Sequence, residues 1–206
     1  MSRAVYGYFP ARAECNDLII YKPDREHGDL TGADLAEWVR FTFPRQKSGR
    51  HLCISDFFRT QNNDGDTGQK YAVVPFQIAT MGQEASTRSA QLFAADRYSD
   101  YLYFHGLAVE SAEGLAEVLH KRIRAELGFA GYDAADRQKM FQQGYRGTRY
   151  SFGYPACPRL EDQVQLFELL EPGRVGIELT EEYQLVPEQS TSAIVVQHPE
   201  AKYFNI

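Results

Sequence analysis

The longest single pattern in the chain is helical, and it does most to determine the fold class. Residues 86–127 carry apolar side chains at intervals of three or four residues, which is the spacing of one helix face. We expect a break in this helix near Arg97 and Ser99, and Gly128 is a natural end. The predicted apolar stripe comprises Leu102, Leu107, Ala108, Ala112, Leu115, Leu119, Ile123 and Leu127.

Short apolar or alternating segments lie on both sides of this helix and predict strands. They occupy residues 5–11, 17–21, 37–43, 51–58, 71–80, 176–180 and 193–197. Pro75 indicates a sheet edge or a bulge. Shorter helices are expected at 136–143 and after Pro158, the latter with the apolar stripe Leu160, Val164, Phe167 and Leu170. We therefore predict one α+β domain over residues 1–206, with a twisted antiparallel sheet, one long helix and shorter helices packed on it.

Composition narrows the classes of function. The net charge of −6 and the pI near 5.4 do not favour nucleic-acid binding, and no apolar run approaches the roughly 20 residues of a membrane-spanning helix. Three well-separated cysteines, none in a C-x-x-C pair, predict free thiols in a cytoplasmic protein without a zinc site. The polar segments 22–32 and 60–68 are predicted turns, and the acidic residues in the second lack the glutamate that closes a calcium loop.

The segment 145–158 is the least regular stretch and the best candidate for a ligand site. Two prolines remove backbone donors, while Gly147 and Gly153 permit positive φ or a close approach. We predict an extended, turned ribbon without regular structure, in which Arg149 and Tyr154 bracket a glycine-lined hollow. Arginine grips a planar carboxylate through two hydrogen bonds, and an aromatic face suits a cation. The expected ligand therefore carries a carboxylate with a positive centre nearby.

Several motifs in this chain resemble one family. Arg149-x-x-x-Gly153-Tyr154-Pro-Ala-Cys-Pro158 is similar to the R-x-x-x-G-Y-P-A-C-P signature of the activation domain of cobalamin-dependent methionine synthase. In the family's order, the chain also has segments similar to its G-x-F-P-A, L-x-D-F, L-H-x-x-V/I-R, L-T-E and H-P-x-(S/A)-K-Y-(F/Y) motifs, here at residues 7–11, 52–57, 119–124, 179–181 and 198–204. The resemblance thus extends from about Arg3 to Phe204.

The resemblance implies a function in methionine biosynthesis. The family binds S-adenosylmethionine and presents its methyl group for reductive remethylation of cob(II)alamin, which reactivates the synthase. The metal complex does the chemistry, so no catalytic side chain and no protein metal site are expected. Cobalamin would be held by another domain or chain, since the D-x-H-x-x-G pattern is absent. The implied partners are that cobalamin-binding domain and a flavodoxin-type electron donor, for which Arg45, Lys47 and Arg50, or Lys121, Arg122 and Arg124, are candidate docking groups.

The implied ligand residues lie in three parts of the chain. Arg149 would bind the ligand carboxylate, and Ser151 and Gly153 would contact the ligand through their backbone. The family's acid for the ammonium group lies in an N-terminal helical segment that we expect this chain to lack, which leaves Glu113 as the nearest candidate acid. Glu113 precedes Gly114, a helix glycine whose cost a close approach by another group could offset. The aromatic candidates for the site walls are Tyr154, Tyr203 and Phe204.

Two other functions stay open at this stage. The chain could be a non-catalytic interaction module that docks on a corrinoid protein without binding S-adenosylmethionine. It could also be a cysteine enzyme with Cys157 as nucleophile and His198 or His120 as base, although no helix N-terminus directly follows Cys157 to lower its pKa. A buried, inert thiol is the interpretation that we favour.

Overall fold

A six-stranded antiparallel sheet forms the centre of the protein. The computed structural model describes residues 1–23, 35–60 and 70–206, and every side chain in these ranges except those of Arg137 and Phe141. The sheet has the order β3-β2-β1-β4-β8-β5, and a separate two-stranded hairpin is formed by β6 and β7. The strands are β1 (Arg3–Glu14), β2 (Asp17–Tyr21), β3 (Glu37–Thr42), β4 (Ala72–Thr80), β5 (Thr148–Ser151), β6 (Glu178–Leu179), β7 (Leu185–Val186) and β8 (Ser190–Val196).

Four α-helices and three short 3-10 turns complete the described ranges. The α-helices are α1 (Gln83–Ala94), α2 (Tyr98–Glu126), α3 (Arg137–Phe141) and α4 (Asp162–Leu170), and the 3-10 turns are Ile54–Phe57, Ala130–Tyr132 and Pro172–Val175. The α+β class, the antiparallel sheet and the long helix are therefore confirmed, as is the helix break, which lies at residues 95–97. The predicted turns at 22–32 and 60–68 lie largely outside the described residues.

Helices cover both faces of the sheet, and β4 shows why. Its alternate residues Phe76 and Ile78 belong to the main apolar core, where α4 packs through Leu166 and Leu170. The intervening Gln77 and Ala79 face α2, and the Gln77 side-chain amide donates to the Ala116 carbonyl at 3.1 Å. A strand buried on both faces carries apolar side chains on both sides, which explains the nearly continuous apolar run of β4.

Pro75 occupies a position in β4 that tolerates its missing N–H. It pairs with Tyr8 of β1, whereas pairing with β8 begins only at Phe76. Only the first residues of β4 therefore lie at a sheet edge, since they pair with β1 alone. The rest of β4 is a central strand.

Two element predictions were wrong. Residues 51–58 form a 3-10 turn at Ile54–Phe57 and no strand, because the Asp56 carboxylate accepts the Cys53 N–H at 2.8 Å and closes the chain on itself. In the segment 145–158, Thr148–Ser151 is regular structure, the edge strand β5, because β8 offers it hydrogen bonds from more than forty residues away.

The predicted helix faces need correction as well. In α4 the buried face contains Leu166, Leu169 and Leu170, whereas Val164 is exposed. In α2 the buried face is formed by Ala108, Ala112, Ala116, Leu119, His120, Ile123 and Arg124, while Leu102 and Leu107 are exposed. Three alanines in this stripe let α2 lie close to the sheet.

Candidate ligand cleft

A cleft of about 310 Å³ lies between α2, the edge strand β5 and the C-terminal segment. It is lined by Glu113, Glu117, Gln143, Tyr145, Thr148, Arg149, Ser151, Tyr154 and Tyr203. Five of the seven residues predicted for the site, namely Glu113, Arg149, Ser151, Tyr154 and Tyr203, therefore share one hollow.

The pleat of β5 directs Arg149 toward this cleft. Thr148 and Tyr150 are buried on one side of the strand, and Arg149 and Ser151 lie half-buried on the other. Arg149 pairs with Val195 of β8, so the sheet fixes its backbone. The arginine is thus presented by regular structure rather than by a loop.

Arg149 lies against two carboxylates of α2. Its Nη1 donates to Glu113 Oε2 at 2.8 Å, and its Nε donates to Glu117 Oε2 at 3.4 Å. Glu113 and Glu117 are one helical turn apart, so both carboxylates reach the same arginine. The side chain of Arg149 is 18% exposed and that of Glu113 is 38% exposed, so the shorter ion pair is open to solvent on its acidic side.

Gly153 forms a tight turn that holds Tyr154 outward. Its φ is 88°, and a Cβ added there would lie 2.9 Å from Leu160 Cδ2, so both backbone strain and a clash favour glycine. The Gly153 N–H donates to the Cys157 carbonyl, and the Cys157 N–H donates to the Tyr154 carbonyl. Tyr154 is 56% exposed as a result, with its ring available at the mouth of the cleft.

The two C-terminal aromatic candidates have different environments. Tyr203 is 45% exposed and lines the cleft. Phe204 is buried in the main core, with ring centroids 5.6 Å from Tyr150 and 6.5 Å from Phe57. Phe204 therefore does not line the cleft, and its contacts anchor the segment that carries Tyr203.

The structure adds residues that the motifs did not single out. Glu117 follows Glu113 by four residues on a predicted helix, and that spacing could have identified it. Tyr145 lies beneath the cleft, where burial and the nearby Glu117 carboxylate raise the pKa of its hydroxyl to about 12. Thr148 lines the cleft although it is nearly buried, a position that becomes apparent only once β5 is known to be a strand.

A buried layer of charge supports the cleft. Arg124 is fully buried, and its Nε and Nη2 donate to the two Asp133 carboxylate oxygens at 2.8 and 3.0 Å. Its guanidinium also lies 3.9 Å from the centroid of the Tyr145 ring. His120 is buried beside it, and burial together with Arg124 and Arg149 lowers the pKa of the imidazole to about 3. His120 is therefore neutral at physiological pH.

The environment of Cys157 does not suit a nucleophile. Burial raises the pKa of its thiol to about 12, and its Sγ donates to the Ser151 carbonyl at 2.9 Å. His120 is neutral and buried, and the ring of His198 lies tilted against that of Phe57, with the centroids 5.4 Å apart. Among the described residues neither histidine hydrogen-bonds to Cys157, so the geometry supports the inert thiol that the sequence favoured.

A larger cavity of about 1070 Å³ adjoins the cleft. Glu113, Ser151 and Tyr154 line both hollows, so the two meet along these side chains. Many other lining residues carry amide, hydroxyl or apolar side chains, including Ser86, Gln91, Val109, Phe152, Gln163 and Leu185. A ligand longer than the cleft can extend past Tyr154 into this space.

One further expectation, concerning the basic residues, was wrong, and one concerning Gly114 finds no support among the described residues. An added Cβ at Gly114 would meet nothing within 4 Å in the described parts of the chain, so no close approach within the domain explains this glycine. Arg124 is buried, so it cannot be a surface docking group. Of the other basic candidates, Arg45 pairs with Asp56, Arg50 with Glu200 and Arg122 with Glu126.

The described residues lack two features, a metal-binding cluster and a membrane-spanning helix. Residues 1–23, 35–60 and 70–206 contain no cluster of three or more His, Cys, Asp or Glu side chains that could hold a metal ion. In the same ranges no helix combines the length and apolarity needed to cross a bilayer.

Comparison with known proteins gives a consistent result. The family model described as "Vitamin B12 dependent methionine synthase, activation domain" matches residues 1–206. The chain is 47% identical to methionine synthase of Mycobacterium tuberculosis and 46% identical to that of Mycobacterium leprae, in each case over 98% of this chain and 17% of the relative. A crystal structure of the MetH reactivation domain bound to AdoHcy superposes with a TM-score of 0.84 and 27% identity, over 99% of this chain and 61% of that chain.

Proposed function

The chain belongs to the family of the activation domain of vitamin B12-dependent methionine synthase, and we propose that it binds S-adenosylmethionine in the cleft around Arg149. It spans about one sixth of the length of the curated relatives that it matches, so the proposed activity is that of one part of a larger enzyme. The MetH reactivation domain bound to AdoHcy, which has the same fold, supports a ligand of this class.

The observation that carries the proposal is the open ion pair between Arg149 and Glu113. The amino-acid end of S-adenosylmethionine carries one carboxylate and one ammonium group. Such a zwitterion inserts between a guanidinium and a carboxylate without changing the net charge of the site. Arg149 then donates to the ligand carboxylate, and Glu113 accepts from the ligand ammonium.

Of the remaining predicted residues, Tyr154 and Tyr203 form the walls in this proposal. The exposed rings of Tyr154 and Tyr203 flank the cleft and offer aromatic faces to the sulfonium and the adenine. The backbone of Ser151 and Gly153 lies beside them, and Phe204 holds the Tyr203 segment from the core. We place the nucleoside toward the larger cavity that shares Tyr154 with the cleft.

The contribution of these residues to catalysis is to position the methyl group. Cobalamin, held by another domain or chain, supplies the cobalt that receives the methyl group. Arg149, Glu113 and the two tyrosines fix the two ends of the donor, which makes the transfer effectively intramolecular once the partners dock. Among the described residues, none of the groups lining the cleft needs to act as a base or a nucleophile.

We further propose the partners that the family resemblance implied, a cobalamin-binding domain and a flavodoxin-type electron donor. Lys47 and Lys121 are exposed and form no ion pair with other described residues, so they are the remaining basic candidates for an acidic donor. We place the reaction in the cytoplasm, and the three free cysteines support a reducing compartment.

Calorimetric titration of the wild-type chain and Arg149→Ala with S-adenosylmethionine tests the proposed function. Loss of a charge-assisted hydrogen bond of about 1.5–3 kcal/mol weakens binding by roughly 10- to 150-fold in Arg149→Ala. Arg159→Ala is the matched control, because Arg159 lies on the same segment but does not line either hollow. A folded wild type that gives no heat with S-adenosylmethionine would instead favour an interaction module that docks on a corrinoid protein.

A further inference from the structure

A line of alternating charges connects the buried layer to the cleft. In order, it contains Asp133, Arg124, Glu117, Arg149 and Glu113. The two ends differ: Asp133 is nearly buried and holds Arg124 through two hydrogen bonds, whereas Glu113 is open to solvent. The ion pair at the Asp133 end is therefore held by burial, whereas the ion pair at the Glu113 end can exchange partners with a ligand. Glu117 lies between these two ion pairs.

The position of Arg124 supplies Glu117 with a permanent counter-charge. Arg124 Nη1 lies 4.0 Å from Glu117 Oε1, is fully buried and has no hydrogen-bond partner among the described residues. Asp133 and the Tyr145 ring fix the plane of this guanidinium. A buried arginine cannot leave its carboxylates at low cost, so Arg124 holds the Glu117 carboxylate in place.

On its other side Glu117 faces the cleft. Its Oε2 accepts from Arg149 Nε at 3.4 Å and from the Tyr145 hydroxyl at 3.5 Å. Arg149 thus contacts Glu117, which adjoins the buried Arg124, through Nε and makes a shorter contact with Glu113 through Nη1. Only the second contact can be exchanged without disturbing the buried layer.

We infer that Glu117 is the positioning residue that orients Arg149 for a ligand carboxylate, whereas Glu113 is the acid that the ligand displaces. The inference rests on the proposed function. When a zwitterion enters, Arg149 Nη1 turns from Glu113 to the ligand, and Glu117 keeps Nε in place. The guanidinium is therefore presented in one orientation before the ligand arrives, which lowers the entropy lost on binding.

Glu117→Gln in the full chain tests the inference with two ligands that differ only at the amino-acid end. S-adenosylhomocysteine carries the carboxylate and the ammonium group, and 5′-methylthioadenosine carries neither. We expect Glu117→Gln to weaken S-adenosylhomocysteine binding about tenfold and to leave methylthioadenosine binding within about twofold, as judged from the central size of one charged contact. Glu110→Gln, an exposed glutamate of the same helix that lines neither hollow, should leave both affinities unchanged.

The ratio of the affinities for S-adenosylhomocysteine and methylthioadenosine distinguishes a positioning role of Glu117 from a general structural role. If Glu117→Gln loses the same affinity for both ligands, or loses none for either, the inference about Glu117 is overturned. The proposed function stays intact in that case as long as the wild type binds S-adenosylmethionine. A wild type that binds neither S-adenosylmethionine nor S-adenosylhomocysteine overturns the proposed function, and the ligand role of Glu117 with it.

A measurement without ligand checks the contact itself. In an NMR spectrum, the Nε–H resonance of Arg149 is identified by its loss in Arg149→Lys. This resonance should shift in Glu117→Gln and keep its position in Glu110→Gln. An unchanged resonance in a folded Glu117→Gln variant contradicts the orienting contact.

Discussion

Two arginines approach Glu117 in this domain, and each pairs with a further carboxylate. Arg124 is fully buried and bound to Asp133 by two hydrogen bonds, whereas Arg149 faces a cleft and shares two partly exposed glutamates. The contacts are chemically alike, so burial decides what each pair can do. A buried pair cannot be broken by a ligand, because the separated charges would lack water. The open pair can exchange partners with a ligand.

The largest expected difference between the two arginines is in stability. Arg124→Met leaves Asp133 without its partner, and breaking a buried ion pair costs about 3–5 kcal/mol of unfolding free energy. Arg149→Met should cost about 1 kcal/mol or less, because its acids are partly exposed. Urea denaturation of both variants measures the difference. Similar losses in the two variants would contradict the distinction between a fixed and an exchangeable pair.

The buried layer also predicts how stability depends on pH. The pKa of His120 is about 3 in the folded protein and about 6.5 when unfolded, so the unfolded state binds a proton first as the pH falls. This contribution to stability is complete above pH 6.5 and is lost progressively between pH 6.5 and 3. From pH 7 to pH 4 it amounts to about 3 kcal/mol.

His120→Leu isolates this contribution. The variant should lose less stability than the wild type between pH 7 and pH 4, since carboxylates that titrate in the same window are common to both proteins. Denaturant unfolding at several pH values gives the two curves. Parallel curves would show that His120 becomes protonated in the folded protein at an ordinary pH.

Periodicity and turn chemistry predicted the fold class, the long helix and its break. Two of the failures involve interactions between residues far apart in the chain. Arg124 follows a lysine and another arginine and resembled a surface cation, yet Asp133 beyond the end of the helix makes its burial possible. Thr148–Ser151 resembled irregular ribbon because glycines and prolines flank it in the sequence, while its strand partner β8 is distant.

In the candidate site, too, local motifs could be recognised from the sequence, whereas contacts between distant residues could not. The signature motif brought out Arg149, Gly153 and Tyr154, and the C-terminal motif brought out Tyr203, because these residue types suit a zwitterion with an aromatic wall. The family resemblance brought out Glu113 and not Glu117, although the two glutamates lie one turn apart on the same helix. Their different roles follow from Arg124, whose position beneath Glu117 is a feature of the tertiary structure.

The smallest expected effect lies at the rim of the cleft, where Gly114 follows Glu113. An added Cβ at Gly114 meets nothing within 4 Å in the described residues, and glycine in a helix interior costs about 1 kcal/mol relative to alanine. Gly114→Ala should therefore raise the unfolding free energy by about 1 kcal/mol and leave ligand affinity unchanged. Gly153→Ala is the contrasting variant, since its positive φ and the Leu160 contact make the same substitution destabilising. Thermal unfolding with and without S-adenosylmethionine measures both effects. A Gly114→Ala variant that gains no stability but binds S-adenosylmethionine more weakly would contradict this prediction. It would show that the bound ligand lies against Gly114, which the position of the Arg149–Glu113 ion pair does not predict.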